Sequence, residues 1–176
     1  MKTNNLMKKS MFLLLIVSFL FISTACTLSN PQKVAPPGLT EEEFPKELAE
    51  LPLAHIITGD EAKTQISQLH GTDIEITEGL VAMFGAPGDN RQMMMWISES
   101  ATKEDATKLL DIMNEKMLSN KVFSNFQEKD LDGLTYYYVS GIGLDNYYYQ
   151  KDKRLYWIGI NDSNSEAILQ QIIDKI

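Results

Sequence analysis

Two hydrophobic rhythms alternate along this chain. Apolar residues spaced by three and four predict three helices. Their stripes are Ala62, Ile66 and Leu69, then Ala106, Leu109, Leu110, Met113 and Met117, then Leu169, Ile172, Ile173 and Ile176. A shared signature opens each one: Thr58-Gly59-Asp60-Glu61-Ala62, Thr102-Lys103-Glu104-Asp105-Ala106 and Ser163-Asn164-Ser165-Glu166-Ala167. A hydroxyl three residues before an acid forms a capping box, in which both side chains satisfy backbone N–H groups, and the acid suits the positive end of the helix dipole. Gly71 and Asn120 stand where the first two helices should end.

Between the helices the period falls to two. Strands are predicted at Asp73–Thr77 and Leu80–Phe84 around Glu78-Gly79, and at Arg91–Ser98. Further strands follow at Phe123–Leu131 and Leu134–Ser140 around Asp132-Gly133, then at Leu144–Gln150 and Arg154–Ile160. Short turns between neighbours imply an antiparallel sheet, and single-striped helices imply cover on one side. The expected fold is therefore a two-layer α+β domain with about three helices packed on one face. Met95-Trp96-Ile97-Ser98 and Tyr156-Trp157-Ile158-Gly159 precede the second and third capping boxes at the same offset. They predict a tandem helix-plus-strands repeat.

The beginning of the chain follows neither rhythm. Lys2, Lys8 and Lys9 precede the apolar run Met11 to Ile22, and Ser23-Thr24-Ala25-Cys26 follows it. This arrangement resembles the signal sequence of bacterial lipoproteins over residues 1–26. The resemblance implies a diacylglyceryl group on the Cys26 thiol and cleavage before it. It also implies attachment to the cell membrane through the N-terminal lipid, on the extracytoplasmic face. Ser23-x-Ala25 also suits an ordinary secretory cleavage site. Retention as a spanning anchor is the third reading, though Met11 to Ala25 falls short of the roughly 20 apolar residues a spanning helix needs. Pro31, Pro36, Pro37, Pro45 and Pro52 then predict an extended tether, with room for a short helix at Phe44–Leu51. The expected organisation is a signal peptide at 1–25, a lipidated N-terminus and tether at 26–52, and one α+β domain at 53–176.

Charge narrows the class of partner. The whole chain carries a net charge of −8. Residues 1–25 hold three lysines and no acid, so the remainder carries −11. That balance argues against nucleic-acid binding and against lying flat on an anionic bilayer. Cys26 is the only cysteine, which leaves no intrachain disulfide and makes packing the source of stability.

Candidate chemistry is sparse. Trp96 and Trp157 should share a sheet face, and with Tyr147 and Tyr149 they are the candidate binding residues; the competing reading is ordinary packing of β-forming aromatics. Met93 and Met95 point one way on a strand and, with Met83, would offer thioethers to Cu(I); as a competing reading they fill the core. His55 and His70 have no metal-ligand spacing. Asp130-x-Asp132-Gly133 lacks the other oxygens of a calcium loop and reads as a turn. Ser140-Gly141 lacks the preceding glycine of a nucleophile elbow, and Gly141-x-Gly143 lacks the third glycine of a dinucleotide loop. With no catalytic constellation and no implied cofactor, the leading expectation is a lipid-anchored extracytoplasmic binding or accessory protein without catalytic activity. Its partner would be a protein or small molecule of the cell envelope. The alternatives are Cu(I) handling and a small hydrolase using carboxylates or tyrosines.

Overall fold

A computed structural model describes residues 36–70 and 75–176, with all side chains except those of Leu69 and His70. The elements run β1 (Glu47–Leu48), β2 (Leu51–Thr58), α1 (Gly59–His70), β3 (Glu78–Phe84), β4 (Gln92–Glu99), α2 (Lys103–Ser119), β5 (Phe123–Leu131), β6 (Leu134–Gly141), β7 (Leu144–Lys151), β8 (Arg154–Asn161) and α3 (Ser165–Lys175). All eight strands join one antiparallel sheet in the order β1-β2-β3-β4-β8-β7-β6-β5. The α+β class expected from the pattern is present, with a larger sheet.

Helices cover both faces, not one. Leu80, Ala82, Met93, Met95, Ile97, Tyr156 and Ile158 form the largest cluster with Ile168, Leu169 and Ile172 of α3. The opposite face packs Val81 against Ala62 and Ile66 of α1, and Val139, Tyr148 and Leu155 against Leu109 and Met113 of α2. Strand alternation explains why both faces are apolar: the central strands carry hydrophobic residues at odd and even positions alike.

Of the segment expected to be a tether, residues 36–52 are part of the body. Leu39, Phe44, Leu48 and Leu51 are buried in the α3-side core, and Phe44 packs on Phe84 with ring centroids 6.3 Å apart. Residues 47–51 form a tight hairpin, where a helix was expected. Ala49 and Glu50 take left-handed conformations (φ 50° and 63°) between paired Leu48 and Leu51. Arg154 fastens the approach to this segment, donating from Nη1 to the Pro37 carbonyl at 2.6 Å while Nε pairs with Glu99 at 2.7 Å. Folded structure thus begins well before residue 53. Pro52 is tolerated because it lies at the start of its strand, beside the sheet edge.

The β3 partner also differs from expectation. β2 pairs with β3, and Glu78-Gly79 belongs to β3 itself, not to a turn. Of the strand expected at Asp73–Thr77, residues 73 and 74 lie outside the described residues, and 75–77 are not strand. Gly79 permits the close approach of α1: a Cβ there would stand 3.0 Å from the Lys63 backbone nitrogen and from Ile66 Cδ1.

Helix starts divide as well. Thr102 Oγ1 accepts from Asp105 N at 3.1 Å and donates to the Asp105 carboxylate at 2.7 Å, so α2 has its cap. At α3 the cap position is Asn164, without a side-chain cap bond. Glu166 instead accepts from Tyr136 and Lys129. Gly71, expected at the end of α1, lies outside the described residues.

Candidate functional site

The α1–α2 face of the sheet is not filled. A cleft of about 230 Å³ remains between the two helices, floored by β4 and β8. Met94, Trp96 and Ser98 reach it from alternate positions of β4, and Leu155 and Trp157 from β8. Ile66 of α1 and Met113, Lys116 and Met117 of α2 form its walls, and Asn120, Phe123 and Ile142 complete it. Three residues in one alternation span about 13 Å at roughly 3.3 Å per residue, which sets the length of the floor.

Packing behind the floor holds it rigid. Trp157 stacks on Tyr148 at 5.2 Å and 7° and meets the edge of Phe123 at 5.4 Å. Its indole Nε1 donates to Asn146 Oδ1 at 3.3 Å. Asn146 is itself fixed, donating to the carbonyls of Gly141 and Leu144 at 3.2 and 3.1 Å. The Tyr148 hydroxyl donates to Asn114 Oδ1 at 2.9 Å and ties the sheet to α2. Asn120 Oδ1 accepts from the backbone N–H groups of Val122 and Phe123 at 2.7 and 3.1 Å, which shapes the corner between α2 and β5.

Burial grades along the cleft. Ile66, Ser98, Met113 and Leu155 are buried, the two tryptophans and Met94 are half-buried, and Lys116 and Ile142 are exposed. Val122 and Ile142, either side of the paired Phe123 and Gly141, are more than 60 % exposed and make an apolar rim.

The structure brings together only some of the residues singled out from sequence. Trp96 and Trp157 share the cleft. Tyr147 and Tyr149 lie in the core on the opposite face, so they present no surface to a partner. Burial pushes the Tyr147 hydroxyl up to about 12, and the same cause raises Tyr149. Tyr147 shares a 2.8 Å hydrogen bond with Ser165, whose hydroxyl donates to Asp145 at 2.6 Å; Tyr138 donates to the same carboxylate at 2.9 Å. Among the described residues no histidine takes part in that network.

The sulfur set is corrected too. Met93 and Met95 are in the α3-side core, whereas Met83, 46 % exposed, pairs across the ladder with Met94 on the other face. Strand alternation therefore keeps the three expected thioethers from converging. Those that line one cavity are Met94, Met113 and Met117. The i, i+4 pair on α2 was visible in sequence as part of an apolar stripe, but nothing in the pattern placed it over β4 and β8. Asp130 and Asp132 make a hairpin turn, with Asp130 Oδ1 accepting from Gly133 N at 3.0 Å. Among the described residues no group of three or more His, Cys, Asp or Glu is arranged to hold a metal ion. No described helix is long and apolar enough to cross a membrane. Cys26 lies outside the described residues.

No protein-family model and no curated protein matches the chain. Among solved structures, a GTP-binding regulator from Thermotoga maritima matches with 17 % identity over 73 % of this chain and 80 % of that one, at a TM-score of 0.45. At that score the likeness carries no argument about this protein.

Proposed function

We propose that this protein is a lipid-anchored extracytoplasmic binding protein that holds a small, largely apolar ligand in the cleft and performs no reaction on it. The observation behind this reading is the Trp96–Trp157 cross-strand pair lying half-buried at the floor of an open cleft. Aromatic floors supply large contact area at low entropic cost. Burying about 150 Å² of ligand there would contribute roughly 4 kcal/mol before the cost of association. The methionine walls suit ligands of varied outline, because unbranched thioether side chains repack readily.

The anchor rests on residues 1–26. Intact-mass analysis of the protein from its native membrane should show a diacylated Cys26 at the N-terminus, and Cys26→Ser should release the body into the soluble fraction. An unmodified Cys26 or a retained leader would overturn the anchor.

The binding half has its own test. Both tryptophans of the chain line the cleft, so intrinsic fluorescence reads its occupancy directly. A saturable change on titration with anilinonaphthalene sulfonate, abolished by Met117→Trp at the cleft wall, is expected. A linear, unsaturable response would remove the reading.

A further inference from the structure

The apolar cleft contains one polar feature that packing does not explain. Ser98 is only 5 % exposed, yet its hydroxyl has no hydrogen-bond partner among the described residues, and it lines the buried part of the cleft. The Trp96 indole N–H, two residues away on the same strand face, is likewise without a partner among the described residues. The Trp157 N–H reaches Asn146 and the Ser165 hydroxyl reaches Asp145, whereas the hydroxyls of Tyr149 and Tyr156 are enclosed in the opposite core without a partner. Unlike those two enclosed hydroxyls, Ser98 Oγ opens onto the cleft, where a ligand that covered it without supplying a hydrogen bond would leave it unpaired at a cost of about 1–3 kcal/mol.

We infer that the cleft takes a neutral amphiphile, an apolar ring or chain ending in one hydroxyl or carbonyl oxygen, bound with that oxygen inward at Ser98. This deepens the binding role proposed above and depends on it. The direction of binding follows from the gradient of burial. The polar end must travel to the buried end to meet Ser98, and the apolar body then lies over Trp96 and Trp157 between Met94, Met113 and Met117. Any remaining tail emerges beside Ile142 and Val122, whose exposed side chains form an apolar rim. Neutrality follows from the lining. Lys116, at the exposed end, is the only charged residue among the described lining, so an ion drawn to Ser98 would be desolvated without a counter-charge.

Three probes of nearly one shape test this: para-pentylphenol, pentylbenzene and para-pentylbenzoate, titrated against the full chain and followed by tryptophan fluorescence and calorimetry. The phenol should bind about three- to tenfold more tightly than pentylbenzene, the range one net hydrogen bond supplies. The benzoate should bind most weakly. In Ser98→Ala the preference for the phenol should vanish while pentylbenzene affinity stays unchanged. Because an alanine at a buried serine in a strand is sterically mild, thermal unfolding of the variant should match the parent, and Ser98→Thr should retain the preference. Equal affinity for phenol and pentylbenzene, or a phenol preference that survives Ser98→Ala, would overturn this inference and leave the cleft as a purely apolar binding site. Strongest binding by the benzoate would overturn its neutrality. If none of the three binds, both this inference and the binding role fall together.

Discussion

Trp96 and Trp157 are direct cross-strand partners on the two central strands of the eight-stranded sheet. Their neighbours pair in the same register, Met95 with Ile158 and Ile97 with Tyr156, so the two similar strand ends meet face to face. α1 lies beside one tryptophan and α2 beside the other, and the cleft is the gap between them.

The two tryptophans should differ in their contribution to stability. Trp157 is stacked on Tyr148, edged by Phe123 and hydrogen-bonded to Asn146, whereas Trp96 has no ring partner and no hydrogen bond among the described residues. Trp157→Ala should cost about 1–2 kcal/mol more than Trp96→Ala in urea denaturation, from the lost aromatic pairs and hydrogen bond. Equal losses would show that the stack does not hold the floor.

Gly79 is required by a close contact, not by its backbone angle. Gly79→Ala places a methyl against the α1 backbone, which cannot yield as a side-chain tip would. A destabilisation of about 1–3 kcal/mol is expected. Because α1 forms one wall of the cleft, dye affinity should fall with it. Wild-type thermal stability in this variant would argue against tight seating of α1.

Residues 36–52 belong to the folded body. A chain beginning at residue 53 loses Leu39, Phe44, Leu48 and Leu51 from the core and should fail to show a cooperative melt, whereas one beginning at residue 36 should melt cooperatively. Cooperative folding of the shorter chain would restore these residues to the role of a spacer.

Tyrosines make the fold sensitive to alkali. The hydroxyls of Tyr136, Tyr138, Tyr147, Tyr148, Tyr149 and Tyr156 are all raised, by burial first and by neighbouring acids or tyrosines next. A group raised in the folded state contributes stability that is complete below its unfolded value, about 10, and is lost as pH climbs through the folded value. Stability should therefore drop steeply above pH ~10. Tyrosinate absorbance should appear together with unfolding, not before it. Gradual ionisation of these six in a chain that stays folded would contradict their burial.

Acid should act through Glu166, more weakly. Hydrogen bonds from Tyr136 and then Lys129 hold this carboxylate below its ordinary range. Its contribution is present above the unfolded value of about 4.3 and fades as pH falls through the lower folded one. Solvent exposure of the Glu166–Lys129 pair keeps the effect small. Glu166→Gln should flatten the stability profile below pH ~4.3 and change it little at neutral pH.

The elements from Arg91 onward were legible because each is a local event. The period of the apolar residues, the Thr102 cap and the Asp132-Gly133 turn all act within a few residues. β2 was not legible: Pro52 and the preceding prolines read as a tether, and what makes the segment a strand is its pairing with β3, more than twenty residues away. The same limit hid the cleft. Trp96 and Trp157 stood out as matching residues, but Tyr147 and Tyr149 looked equally suitable, and their burial depends on α3 closing over their face.

By itself the sequence determined the helices and most strands, the antiparallel class and the acidic charge, since these follow from local pattern and composition. Only the tertiary structure decided that α3 and the 39–51 segment close one face while α1 and α2 leave a gap on the other. An apolar stripe records that a helix must be covered, and it carries no record of which surface will cover it. That choice, made by packing between distant residues, turned two ordinary-looking tryptophans into the floor of a cleft and set Ser98 at its buried end.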